Sequence, residues 1–357
     1  MINVTKTYLP SKEKLSERID RIYRNGWITN NGELTLELQE RLEKFLGVKN
    51  LLLVSNGTLA LQIAYKVLDV KGEALTSPFS FVATTSSMVW EGITPRFVDI
   101  DKKSLNMDVN NIEKSINENT SAIVPVHVFG NPCEVEKISD IANRYNLKTI
   151  YDASHCFNAK FNGDSLLNFG DVSTLSFHAT KIFHTIEGGA LVIKDREVYE
   201  KAKLMINFGI TGVDSIRSLG INCKINEFQS AMGLCVLDEY DEINSKRREV
   251  YNRYYEKLRN SSKVTLQDRN PYGSLNYSYF PILFKTEEDL LKVQRVLKER
   301  GINGRRYFYP SLNTLNYLEY EKMEVSEEVS RRVYCLPLYD SLDLSIVDEI
   351  IYIIESI

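Results

Sequence analysis

Residues 50–69, NLLLVSNGTLALQIAYKVLD, decide the reading of the fold. The apolar run NLLLVS (50–55) reads as a buried strand, and GTLALQIAYKVLD from Gly57 reads as a helix. The same alternation continues outward. An apolar run at Ala74–Ser77 precedes a helical stretch near Val82–Glu91, and RFVDI (96–100) is a further short strand. SAIVPV (121–126) is strand again, 134–145 helix, and KTIYD (148–152) strand. Strands alternating with helices argue for an α/β protein with a largely parallel sheet covered by helices on both faces.

Beyond residue 171 the strands DVSTLSF and GALVIK flank a polar, turn-rich stretch. One long charged helix is expected near 225–260, bridging into a smaller C-terminal α/β part built from YSYFPILF, a helix at 287–300 and RRVYCLPL. The boundary falls near 240, which gives a large domain over 1–240 and a small one over 241–357.

Composition excludes several classes. The 357 residues are 43% hydrophobic and 26% charged, the balance of a globular chain with a sizeable core. A net charge of −4 leaves no global positive field to recruit nucleic acid. The five cysteines are scattered and none forms a CxxC pair, which suits free thiols in a reducing compartment. The start, MINVTKTYLPSKEKL, carries no apolar signal-like stretch, and no apolar run approaches the ~20 residues of a membrane span. A cytoplasmic enzyme or binding protein is the expectation.

Three fragments can carry chemistry. Asp152 closes the strand KTIYD, at the sheet edge where α/β proteins bind ligands. It can cap a turn, orient a base or stabilise a cation on a cofactor. With His155 alone it makes a poor metal site, so no metal is expected. Lys181 follows an apolar strand end in SFHATKIFHTIEGGALV (176–192), and a loop lysine there can serve as a Schiff-base nucleophile if its pKa is lowered. In SNGTLAL (55–61), Gly57 and Thr58 open a helix whose free N–H groups and dipole can hold a phosphate or form an ordinary cap. No GxGxxG or GxxxxGK[ST] pattern occurs, which counts against a nicotinamide oxidoreductase and a Walker loop. A phosphate cradle, an imine-forming lysine and an acid suited to a pyridine nitrogen together match pyridoxal 5'-phosphate.

The order of these motifs resembles the DegT/DnrJ/EryC1/StrS sugar-nucleotide aminotransferases, which have the type I fold of pyridoxal-phosphate enzymes. The resemblance begins with GWITNNGELTLELQERLEKFLGVKN (26–50) and SNGTLAL, then runs through TSPFSFVATTSS (76–87), GITPRFVDID (92–101) and PVHVFGNPCEV (125–135). It continues through IYDASHCF (150–157), SFHATKIFHTIEGGALV and LGINCKINEFQSAMGL (219–234). GINGRRYFYPSL (301–312) and YCLPLYDSL (334–342) match more loosely.

The resemblance implies that Lys181 binds the cofactor as a Schiff base and shuttles a proton, and that Asp152 pairs with the pyridinium nitrogen. His155 would lie near the cofactor ring or its 3-oxygen, at a position where the family often has glutamine, and Phe81 would stack on the ring. Gly57, Thr58 and Ser176 would hold the phosphate, joined by Asn222 from the partner subunit of a homodimer. The family's Gly-aromatic-Asn-Tyr-Arg loop reads GINCK here, so isoleucine and cysteine replace the aromatics and Lys224 replaces arginine. Lys224 can still meet a diphosphate as a point charge. Arg305, Arg306, Tyr307 and Tyr309 are further candidates for the sugar or diphosphate. A dehydrating branch of the family has histidine in place of the lysine, and Lys181 argues against it.

The implied reaction is a two-stage transamination. L-Glutamate gives its amino group to the cofactor and leaves as 2-oxoglutarate, and the amino group then passes to a keto sugar nucleotide. FHATKIFHTIEGGA with NCKINEFQSAMGL is most similar to enzymes acting on dTDP-4-keto-6-deoxyglucose, in an O-antigen or cell-surface glycan pathway. The alternatives are a 3-keto or a GDP- or UDP-linked sugar, or a regulatory protein that keeps the fold without turnover.

Overall fold

The computed structural model describes residues 1–357. Seven strands form the main sheet: β1 (Leu51–Val54), β2 (Glu73–Thr76), β3 (Thr94–Phe97), β4 (Thr120–Val124), β5 (Lys148–Asp152), β6 (Val172–Ser176) and β7 (Gly189–Ile193). Their spatial order is β1-β7-β6-β5-β4-β2-β3. All run parallel except β7, which is antiparallel to both β1 and β6.

Strand β1 shows why the sheet is covered twice. Successive side chains of a strand face opposite ways. Leu51 and Leu53 accordingly join a core with Leu38 and Leu42 of the Glu33–Leu46 helix and Leu234 of the Glu227–Asp238 helix. Leu52 and Val54 join the opposite core with Ala60 and Ile63 of the Gly57–Val67 helix and Ala202 of the Arg196–Met205 helix. Full burial of each such leucine or valine is worth about 1.5–3 kcal/mol, so a polar residue at any of the four would loosen one of the two layers.

The C-terminal part has its own antiparallel sheet of β8 (Val264–Leu266), β9 (Phe280–Phe284) and β10 (Val333–Leu336). Phe280, Ile282 and Phe284 pack with Tyr254, Leu290 and Ile350 from three helices. On the other face, Leu283 and Cys335 join Phe79, Phe129 and Phe308. That second face borders the main sheet and carries the segment leading to the site. No helix is long and apolar enough to cross a membrane.

Two expectations are corrected. The single helix over 225–260 is two helices, Glu227–Asp238 and Tyr240–Leu258. The chain turns at Glu239, whose carboxylate accepts hydrogen bonds from the Tyr8 hydroxyl at 2.6 Å and from Lys14. The strand RFVDI is shifted and ends at Phe97, because the Asp99 carboxylate instead accepts from Val325 N and Ser326 N and caps the helix Glu324–Arg332. Glu227 plays the same part for the helix Glu33–Leu46, which lacks a side-chain cap of its own. Its buried carboxylate accepts from Leu34 N at 2.9 Å and from Thr35 N at 2.8 Å.

Candidate active site

The carboxyl ends of β1, β2, β5 and β6 share one edge of the sheet. Because β7 is reversed, its first residue, Gly189, lies on that edge too, paired with Val54 on one side and Ser176 on the other. A cavity of about 270 Å³ opens there, lined by residues from all of these strand ends and from the C-terminal part.

Its floor is the start of the Gly57–Val67 helix. Asn56 is the N-cap and its side chain accepts from Leu59 N at 2.8 Å. By position, the N–H groups of Gly57 and Thr58 have no acceptor within the helix and face the cavity with the positive end of the helix dipole. Two glycines keep this floor open to close packing. A Cβ on Gly57 would come within 3.0 Å of Ser176 Cβ, and one on Gly189 within 2.6 Å of the Asn56 carbonyl carbon. Ser176 and β7 therefore press directly on the helix N-terminus.

Asp152 stands at the end of β5 with 5% of its surface exposed. Thr84 Oγ1 donates to its Oδ2 at 2.8 Å, and Ser154 N donates to its Oδ1 at 3.1 Å. Ser80, also on the cavity wall, pairs its hydroxyl with that of Thr84 at 2.8 Å. The carboxylate is thus fixed from both sides.

Lys181 lies in the turn between β6 and β7, its N–H bonded to the His178 carbonyl at 2.8 Å. Its Nζ donates to the Tyr279 hydroxyl at 3.5 Å. Burial pushes the amine pKa down, while the charge of Asp152 opposes the shift. A depressed pKa raises the neutral, nucleophilic fraction of the amine.

The His155 ring lies nearly parallel to Phe129 and Phe308, with centroids 6.1 and 5.8 Å away. Its Nδ1 accepts from Phe129 N at 3.3 Å, which assigns the proton of the neutral ring to Nε2. Burial, and secondarily the Lys181 charge, hold its pKa well below the usual histidine range, so the ring is neutral at pH 7. Half-exposed Phe81 stands at the cavity mouth.

Arg305 and Tyr307 also line the cavity, with the guanidinium 4.5 Å from the Tyr307 ring centroid. Arg306 does not. It donates to Glu287 at 2.6 Å and to the Arg331 carbonyl at 3.0 Å, and it stacks on Tyr309, which also lies off the cavity. Asn222 and Lys224 sit outside the cavity of their own chain, joined by a 2.6 Å hydrogen bond, with Lys224 over the Phe208 ring. Residues the sequence reading passed over are Ser80, Thr84, Ser154, His178, Glu187, Tyr279 and Phe308. Of these, only the Ser80–Thr84 spacing in TSPFSFVATTSS offered a local signal.

The DegT/DnrJ/EryC1/StrS aminotransferase family model matches residues 10–355. The chain is 40% identical over 362 aligned positions to a dTDP-4-amino-4,6-dideoxy-D-glucose transaminase of Shigella dysenteriae, covering 100% of this chain and 99% of the relative. It is 36% identical to an Escherichia coli protein of the same name, covering 98% and 96%. Among solved structures, DesI in the presence of its TDP-sugar product superposes with a TM-score of 0.93 at 29% identity, covering 99% of this chain and 92% of that one. Helicobacter pylori PseC, an aminotransferase of pseudaminic acid biosynthesis, does so with 0.92 at 28%, covering 99% and 98%. Matched along nearly its whole length, in sequence and in fold, the chain belongs to the DegT/DnrJ/EryC1/StrS aminotransferase family.

Proposed function

We propose that the protein is a pyridoxal-phosphate transaminase that moves an amino group from L-glutamate to C4 of dTDP-4-keto-6-deoxy-D-glucose, giving dTDP-4-amino-4,6-dideoxy-D-glucose. The observation that carries this reading is the convergence of Lys181, Asp152 and the Gly57 helix start on one cavity. The substrate assignment rests on the full-length similarity to the two dTDP-sugar transaminases.

The residues present fit the cofactor. The helix start offers unsatisfied N–H groups and the positive end of its dipole to a phosphate, and a Cβ at Gly57 would stand only 3.0 Å from Ser176 Cβ. Asp152 is a buried carboxylate bonded by neutral donors rather than by an ion pair, and a pyridinium nitrogen would supply a direct cationic partner. When bound, pyridoxal phosphate supplies an electron sink that lets an amino group leave one carbon and join another.

The chain's own residues supply the rest. Gly57, Thr58 and Ser176 orient the phosphate, and Asp152 stabilises positive charge on the ring nitrogen. Phe81 would give the ring an apolar face, and neutral His155 would adjoin the site without adding a competing charge. Lys181 holds the cofactor and, once free, moves a proton at its Nζ. Arg305 is the guanidinium on the cavity wall and meets the anionic groups of donor and acceptor.

Asn222 and Lys224 reach the site of a second subunit in a homodimer. The loop that carries them is rich in exposed apolar residues, among them Val213, Ile216, Leu219 and Ile221. The product feeds O-antigen or related glycan synthesis. Five unpaired cysteines suit a reducing, cytoplasmic setting.

The test is the visible spectrum of the loaded protein. Absorption near ~420 nm should collapse toward ~330 nm on adding L-glutamate, and dTDP-4-keto-6-deoxyglucose should restore it. Restoration only by a 3-keto, GDP- or UDP-linked sugar would overturn the substrate assignment. A band that ignores glutamate would overturn the donor.

A further inference from the structure

Lys181 makes one side-chain hydrogen bond in its own chain, and it is to a residue 98 positions away. Tyr279, 6% exposed, precedes β9, and its hydroxyl lies 3.5 Å from Lys181 Nζ. Its ring is wedged between His155, at 4.7 Å, and Tyr307, at 5.7 Å, so the hydroxyl has little freedom to leave the amine.

The backbone that carries Tyr279 is fixed with unusual effort. Asn276 Nδ2 donates to the His155 carbonyl at 2.6 Å and to the Phe157 carbonyl at 3.2 Å, and Ser278 Oγ donates to the His155 carbonyl at 3.2 Å. From the other side comes Arg247, 4% exposed, whose Nε donates to the Tyr277 carbonyl at 3.0 Å and whose Nη2 donates to the Ser278 carbonyl at 2.7 Å. No carboxylate bonds to this guanidinium, and burial lowers its pKa to about 10. A buried cation spent on two carbonyls is costly unless the position of that backbone matters.

We propose that Tyr279 is a catalytic residue, its hydroxyl accepting from Lys181 when the amine is protonated and donating to it when the amine is neutral, with Arg247 as the positioning residue. The inference rests on Lys181 being the amine that holds the cofactor and moves the proton. A phenol suits this part because it is both donor and acceptor. Burial raises the Tyr279 pKa far above the working range, so the hydroxyl keeps its proton throughout. As Nζ gains and loses its proton, the hydroxyl turns about its C–O bond and holds the nitrogen in one place. Of the other groups near Nζ, Asp152 only accepts, Cys156 is a weak partner and His155 already uses its Nδ1. The hydroxyls of Ser154, Ser176 and Thr180 line the same cavity but share no hydrogen bond with Nζ. Tyr307 lines the cavity nearby but shares no hydrogen bond with Nζ.

The test is Tyr279→Phe, which keeps the ring contacts and removes the oxygen. In the cofactor-free protein, the rate at which acetic anhydride labels Lys181, read by peptide mass spectrometry across pH, gives the pKa of that amine. A hydrogen bond to a charged group outweighs one to its neutral form, so loss of the oxygen should lower the Lys181 pKa by roughly half a unit to one unit. In the loaded protein, the single-turnover rate with L-glutamate should fall by about tenfold or more, with a smaller change in glutamate affinity. An unchanged Lys181 pKa together with an unchanged single-turnover rate would overturn the proposal. Borohydride trapping of the cofactor in the wild-type protein separates the two readings. Trapping on Lys181 leaves only the Tyr279 proposal at stake, whereas trapping on another lysine would sink the assignment of Lys181 itself.

Discussion

Thr84→Val removes a hydrogen bond that aims the Asp152 carboxylate. Thr84 is fully buried and its hydroxyl donates to Asp152 Oδ2 at 2.8 Å, near the ideal length for such a bond. Valine keeps the shape and removes the donor. Hydrogen bonds to charged groups contribute about 1.5–3 kcal/mol, or roughly 10- to 100-fold in an equilibrium. In the unloaded protein, water entering the cavity can replace the hydroxyl, whereas under a bound ring it is excluded. The loss therefore falls mainly on the loaded state. Titrating the cofactor-free variant with pyridoxal phosphate should show affinity weakened by about 10-fold or more. The single-turnover rate with L-glutamate should fall alongside. Thr84→Ser, which keeps the hydroxyl, should stay near wild type. Affinity and rate both within twofold of wild type in Thr84→Val would refute the idea that this bond sets the carboxylate's aim.

Other perturbations test the frame around the site. His127 is buried with no partner for its Nε2, and burial lowers its pKa to about 3, so the unfolded chain takes up a proton below pH ~6.5 that the folded one does not. Its contribution is complete above that pH and is lost as pH falls, by about 1.4 kcal/mol at pH ~5.5. His127→Asn should flatten the pH dependence of urea unfolding over that interval, and parallel curves would remove His127 from the account. Gly189→Ala would place a Cβ 2.6 Å from the Asn56 carbonyl carbon and 2.8 Å from the Leu175 carbonyl oxygen. It should cost about 1–3 kcal/mol and weaken cofactor binding by disturbing the helix start; an unchanged melting temperature and affinity would show that this contact is slack. Mixed dimers with Lys181→Ala on one chain and Asn222→Ala on the other should keep one largely intact site, and activity no higher than that of the parent variants would argue against a shared site.

How much of this was legible in the sequence depended on how local the deciding forces are. KTIYD is strand over Lys148–Asp152 as read, because its apolar core and its burial agree. The turn at Glu239 was hidden, since helix-forming residues continue on both sides and the break is fixed by Tyr8 and Lys14 from the far end of the chain. The run RRYFYP shows a subtler limit. Arg305 and Tyr307, two residues apart, face the cavity, while Arg306 between them turns to Glu287 and the Arg331 carbonyl. Phe308 follows Tyr307 onto the cavity wall, so the fold separates Arg306 from neighbours with which one-dimensional reading groups it by proximity and charge.

Lys181 and Asp152 stand out in a sequence because each sits at the end of a strand whose apolar pattern marks it. Tyr279 and Arg247 do not, because nothing beside them in the chain distinguishes a tyrosine or arginine of the core from one that serves the site. Their meaning comes from contact across the two sheets: His155 receives the Asn276–Ser278 segment, Arg247 clamps it from behind, and the Tyr279 hydroxyl arrives at Nζ. The same contact ties the small sheet to the main one at the Lys181 amine. Any shift of the C-terminal part relative to the main sheet must therefore move Tyr279, Arg305 and Tyr307 together against Lys181 and Asp152. The position of the amine and the cavity wall that carries Arg305 are set by one interface, so under the proposed roles a substitution that loosens the Asn276–Ser278 clamp should impair proton transfer and substrate binding at once.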